Sequence, residues 1–234
     1  MRIALSSPVR RYTFVIGCAA LVLLVSALNL QAIGEHWLAS SASPIRLEQA
    51  TRLQPLNAEI QEKLGIVSLD PAHGDFEQAA WHLQRAAEIN PHSARTWLNL
   101  ANTYSVLGDD ERSADAVRHA LVVEPKDTQV QWEAANLFLT SDLDRSLQLL
   151  RGVIENDLQY NSPAVEVAWT ATGKNIDKTM MAVPLTVTSR LQLMHWLMEH
   201  NEIDSADRVW PTVLAAPNAL NVRESFFYID SLIA

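Results

Sequence analysis

The side chains with the most chemical potential in this 234-residue sequence lie in His195-Trp-Leu-Met-Glu-His200. Zinc peptidases need histidines at i and i+4, so that both ligands leave one helix face with a glutamate beside them as base. Here the i+4 partner of His195 is Glu199, and His200 leaves a helix about 140° away. That spacing predicts a helix with polar edges, not a metal centre. His36, His73, His82, His92 and His119 are scattered. Asp109-Asp-Glu111 is acidic, but at a helix start such residues cap the chain, and they lack the spaced oxygens of a calcium loop. No serine elbow, phosphate loop or dinucleotide pattern is present, and seven glycines leave little room for one. The expectation is a chain that is not an enzyme, with no catalytic, metal or cofactor residues.

Composition narrows the partners. With 27 acidic against 18 basic residues the net charge is −9, which repels phosphate backbones and argues against nucleic acid. A single cysteine, Cys18, excludes intrachain disulfides and thiolate metal sites.

The chain carries one uncharged run. Thr13–Ile33 spans 21 residues, about 31 Å as a helix, close to the ~30 Å of bilayer hydrocarbon. Arg2, Arg10 and Arg11 precede it and the next basic residue is Arg46, so positive charge is biased to the N-terminal side. This predicts a cytoplasmic tail (1–12), a membrane-spanning helix (13–33) in contact with the bilayer, a linker (34–43) and a remainder across the inner (cytoplasmic) membrane, periplasmic or extracytoplasmic. Cleavage near Ala39-Ser-Ser41 or Ser40-Ser-Ala42 is an open alternative. Val15-Ile-Gly-Cys18 resembles a lipobox, but the apolar run continues beyond Cys18, where that of lipoproteins stops. Ser43-Pro44 is expected to start the first helix beyond the linker.

Three stretches then end alike: Leu47–Pro55, Leu83–Pro91 and Val117–Pro125. Each places alanine (Ala50, Ala86, Ala120) three residues after an aliphatic residue and proline five residues later. Pro91 and Pro125 are 34 apart and Pro55 and Pro91 36 apart, periods that signal stacked helix pairs. Within Arg95–Pro125, Leu100, Ala101 and Tyr104 share one face of a first helix. Ala101 and Ala120 are small where the helices approach, and Trp97 and Tyr104 are expected to fill the adjoining space. Gly108 ends the first helix, and Asp109 or Asp110 caps the second.

Trp97, Leu100, Ala101, Tyr104, Gly108, Ala114, Ala120 and Pro125 resemble the signature of the tetratricopeptide repeat. The unit before keeps Leu64, Gly65, Gly74, Ala79, Leu83, Ala86 and Pro91. In the unit after, Ala134, Ala135 and Phe138 replace the first-helix set and Leu158 the closing proline. The resemblance implies an all-α fold, a right-handed helix-turn-helix solenoid over 44–160 following the membrane helix. It also implies a concave groove lined by first helices that holds a protein or peptide partner. The positions it selects are Arg95, Leu98, Asn99, Asn102, Ser105 and Val106, then Gln129, Glu133 and Asn136. Asn102 and Asn136 are 34 apart and would form a ladder for a peptide backbone. Only Arg95 offers positive charge, so a carboxylate clamp is not expected. With the membrane anchor, the chain is similar to bacterial envelope-associated repeat proteins found with polysaccharide or secretion machinery, and the resemblance implies a scaffold or adaptor of the cell envelope.

From 161 to 234 the pattern degenerates. Asn161-Ser-Pro163 is expected to break the chain, with a helix to about Gly173 and a turn or short helical piece over Asn175–Pro184. Leu191–Leu214 reads as a further pair, with Leu193, Met194 and Leu197 in first-helix positions, Ala206 and Trp210 in second-helix ones, and a kink at Pro211. Arg223–Ala234 begins an amphipathic helix that nothing follows. The alternative expectation is therefore an accessory interaction arm of a longer protein, incomplete at its C-terminus, whose missing part carries an activity.

Overall fold

The computed structural model describes residues 43–70 and 74–217, together with Leu21, Val25 and Phe226, and every regular element among them is helical. Most of Thr13–Ile33, the linker before Ser43 and nearly all of Arg223–Ala234 lie outside the described residues. Among those described, no helix is long and apolar enough to cross a membrane. The chain divides into two compact units between Ile89 and Asn90.

The first unit contains α1 (Pro44–Leu53), α2 (Ala58–Ser68) and α3 (Phe76–Ile89). Pro44 occupies the first turn of α1, although the Ser43 side chain does not cap it. Asn57 caps α2 by accepting from the backbone N–H groups of Glu59 and Ile60 at 3.1 and 3.3 Å. Asp75 does the same for α3 through Gln78 at 2.9 Å. The half repeat buries Leu47 and Ala50, the pair its sequence pattern selects. Helices α2 and α3 pack as a hairpin so close that a Cβ on Gly65 would lie 2.7 Å from Leu83 Cγ and 3.2 Å from the Ala79 carbonyl oxygen. His82 and Gln61 are both buried there and share a 2.8 Å hydrogen bond.

In the second unit, α4 (Ala94–Val106) pairs with α5 (Asp110–Val123), α6 (Thr128–Phe138) with α7 (Leu143–Asn156), and α10 (Val187–Glu199) with α11 (Ile203–Leu214). Ser93, Asp109, Asp127 and Asp142 cap α4 to α7 in turn. Gly108 takes φ 74°, the left-handed conformation that ends α4. Between facing helices, a serine hydroxyl bonds a carbonyl of the first helix: Ser113 to Ala101 at 2.9 Å and Ser146 to Ala135 at 2.8 Å. The two alanines are 34 apart and the two serines 33, so the stretch between the contact positions is one residue shorter in the α6–α7 pair than in the α4–α5 pair. That places Leu158 at the register of Pro125.

Two local expectations change. Asn161-Ser-Pro163 does not break the chain: a 3-10 turn (Leu158–Tyr160) leads directly into α8 (Asn161–Ala171), with Pro163 in its first turn, where a missing N–H costs no intrahelical bond. The short helical piece expected over Asn175–Pro184 is α9 (Ile176–Thr179) with a 3-10 turn (Met180–Ala182), so α8 has no full second helix. In α11, Val209 and Val213 are buried while Trp210 is half-buried, so β-branched side chains make the contact expected of the indole.

The α8–α10 connection is held by Arg190, which is 6% exposed and donates through Nη2 to the carbonyls of Met180 and Val183 at 3.1 and 3.0 Å. Burial, and then the nearby Arg151, lower its pKa to about 10, so it stays charged at pH 7.

Burial also holds the His82 imidazole below its ordinary pKa, against a smaller opposing influence from Glu48. The unfolded chain therefore binds more protons at this residue than the folded one. The associated stability is complete above the unfolded pKa near 6.5 and is lost as pH falls from there toward the depressed folded value. Urea unfolding of the full chain should weaken between pH 7.5 and 5.5. His82→Gln should remove up to about 1.4 kcal/mol per pH unit of that slope; an unchanged slope would show that His82 is not buried neutral.

Candidate functional site

The residues selected for a groove separate into three kinds. Arg95, Asn102, Ser105, Gln129 and Asn136 are exposed, while Asn99 and Glu133 are half-buried. Leu98 is 1% exposed and belongs to a core cluster with Ala94, Ala120 and Val130, so its assignment to the groove is corrected. Of the two apolar members of that set, Leu98 gains by burial against its neighbours, while Val106 stays 63% exposed. Trp97 packs beside this cluster only partly buried; its ring stacks on His119 at 4.4 Å and its indole N–H donates to the Pro91 carbonyl at 3.0 Å.

The polar positions on α4 and α6 are largely engaged with one another. Glu133 accepts from Arg95 at 2.9 Å and from Gln129 at 2.7 Å, joining the two first helices. The sole cation of the set is thereby neutralised. Asn136 turns its amide back to the Trp132 carbonyl at 2.8 Å. The expected ladder with Asn102 is thus occupied on one rung by the helix itself.

A better-formed concavity lies further along the unit. Leu158, Gln159, Asn161, Ser162 and Val165, from the 3-10 turn and α8, face Gln192, His195, Trp196 and Glu199 of α10 around a pocket of about 170 Å³. Aligning Leu193, Met194 and Leu197 with Leu100, Ala101 and Tyr104 puts Gln192, His195 and Glu199 each 93 residues after Asn99, Asn102 and Val106. They are the same first-helix positions. Sequence reasoning misses them because the histidines of α10 point first to metal ligation.

In this pocket His195 and Glu199 pair at 3.2 Å, both well exposed. His200 is drawn away: it stacks on Trp196 at 4.0 Å and its Nδ1 lies 2.7 Å from the Trp196 carbonyl. Among the described residues no three ligands converge as a metal site. Asn161 is 3% exposed; its Nδ2 donates to Gln192 Oε1, and its buried Oδ1 has no partner.

Core and face should separate under mutation. Leu98→Ala should cost about 2–5 kcal/mol, whereas Asn102→Ala should stay within about 0.5 kcal/mol. Both are read by urea unfolding, and equal losses would contradict this division.

Residues 72–135 match a family model described as tetratricopeptide repeat. No curated protein sequence matches the chain. Among solved structures, YrrB, a TPR protein with an unusual peptide-binding site, is 16% identical, with 83% of this chain and 86% of that one covered and a TM-score of 0.50. TTC0263, a thermophilic TPR protein of Thermus thermophilus, is 21% identical, with 68% and 94% covered and a TM-score of 0.49. An O-GlcNAc transferase mutant of Thermobaculum terrenum is 23% identical over 56% of this chain, which spans only 27% of that one, at a TM-score of 0.48. Residues 72–135 thus match tetratricopeptide repeats, within described residues whose regular elements are all helical.

Proposed function

We propose that this chain is a non-enzymatic, membrane-anchored adaptor that holds an extended segment of a partner protein on the first-helix face of α4, α6, α8 and α10. The observation that carries this reading is the division within those helices. Leu98, Leu100, Ala101, Ala134, Ala135, Leu193 and Met194 are spent on the core, while side chains at fixed repeat positions stay outside it. Hairpins whose ends are capped present such side chains without further ordering, which lowers the cost of binding a flexible segment. YrrB, of similar fold, has a peptide-binding site of its own.

The anchor is the uncharged run Thr13–Ile33, with Arg2, Arg10 and Arg11 on its cytoplasmic side and the repeats beyond the inner membrane. A scaffold so placed serves envelope machinery that builds or exports polymers or proteins; this narrowing rests on analogy.

Two measurements test the proposal. A photo-crosslinking residue at Asn99, Asn102 or Ser105 should capture a partner in native membranes, and the same residue at Val122, exposed on the second helix α5, should not. Capture only from Val122 would reverse the assignment of faces. Alkaline phosphatase fused after Ala234 should be active if the repeats lie outside the cytoplasm, and inactive if the orientation is wrong.

A further inference from the structure

We infer that the pocket between α8 and α10 is a subsite for a basic side chain, arginine above lysine, of the bound segment. The inference rests on the groove reading, because a pocket of about 170 Å³ accommodates one side chain and needs a longer chain to bring it there.

The chemistry of the lining is asymmetric. Neither lysine nor arginine lines it, and its carboxylate is Glu199, 60% exposed and bonded on one side to His195 Nε2 at 3.2 Å. A carboxylate has about four lone-pair sites, so Glu199 keeps capacity for a second donor. Asn161 supplies an independent observation: it lies in the pocket wall with an unmet acceptor, since its amide is spent on Gln192. Leaving a buried acceptor unpaired is costly, and a ligand rich in N–H groups relieves it once the wall adjusts. Guanidinium offers five donors in a fixed fork and no acceptor. The lining includes Trp196, stacked on His200 and edge-on to Trp169 at 6.2 Å, and guanidinium is favoured beside tryptophan.

Charge over longer range agrees. The chain carries −9 overall, and the one cation on the α4–α6 part of the face, Arg95, is already paired with Glu133. A segment bearing positive charge is therefore attracted, and an acidic one finds no free cation among the described residues that line the pocket.

Ligand-observed saturation-transfer NMR on the full-length chain tests this with N-acetyl-arginine amide as probe and N-acetyl-citrulline amide, of the same shape without the charge, as comparison. Saturable binding in the millimolar range is expected, about tenfold or more weaker for the citrulline probe. Glu199→Gln should abolish that preference, and Glu111→Gln, at the start of α5, should preserve it. Glu199 is exposed, so its variant keeps the fold, checked by circular dichroism. Equal response to both probes, no saturation, or a preference that survives Glu199→Gln would overturn the inference. The groove reading fails separately, through absent crosslinks at Asn99 and Asn102. Crosslinks without arginine preference would leave the groove and remove only this subsite.

Discussion

Close approach of two antiparallel helices is the constraint on which the rest of this protein depends. Gly65 against Leu83 and the Ala79 carbonyl leaves no space for a methyl group. One repeat later Ala101 is met by the Ser113 hydroxyl, and in the next Ala135 by Ser146. In two of these pairs the facing serine hydroxyl bonds a first-helix carbonyl directly. Small size and hydrogen-bonding capacity are thus needed together, which is why serine serves as well as alanine at this position. Because the first helix spends this stripe and its aliphatic neighbours on packing, what remains outward is fixed in direction. The candidate face follows from the packing.

Most of that packing was legible from residue spacing. Leu47, Ala50, Leu83, Ala86, Leu100, Ala101, Tyr104 and Ala120 are all buried as their periodicity requires, since a helical period reports which side chains share a face. It reports less well how far round the helix the core extends. Leu98 lies at the edge of the apolar stripe, and its burial depends on Ala94, Ala120 and Val130, contacts spread over three helices. Trp97 shows the converse: a large ring with a polar N–H settles at the margin, where the Pro91 carbonyl satisfies it.

Where the repeat departs from its consensus, sequence was least informative. Losing one residue between Ala135 and Ser146 shifts Leu158 to the closing position, and without a proline there the chain passes through a 3-10 turn into α8. No pattern announces that Asn161 will be 3% exposed, since an Asn-Ser-Pro run usually marks a surface turn. Nor does any local signal show Arg190 buried, for the carbonyls it bonds belong to a connection that replaces a whole helix.

These departures have one energetic logic. A truncated second helix leaves the Val183 carbonyl outside any helix ladder, while that of Met180 also accepts from the Val183 N–H at 3.3 Å, and a buried guanidinium bonds both while keeping Nε and Nη1 without partners. Such a group is tolerated because removing it would orphan the Val183 carbonyl, at a cost of about 1–3 kcal/mol. Asn161, on the first helix of the same irregular repeat, has an unmet acceptor as well. Unmet polar groups are expensive in a fold that caps α2 to α7 with side chains and bonds Ser113 and Ser146 to facing carbonyls. Their concentration in the one repeat lacking a full second helix, beside a pocket on the first-helix face, distinguishes this region from α4 and α6, whose polar side chains largely satisfy each other. On the α8–α10 part of the candidate face the buried Asn161 Oδ1 has no partner, and selectivity for a partner is built from such hydrogen-bonding capacity.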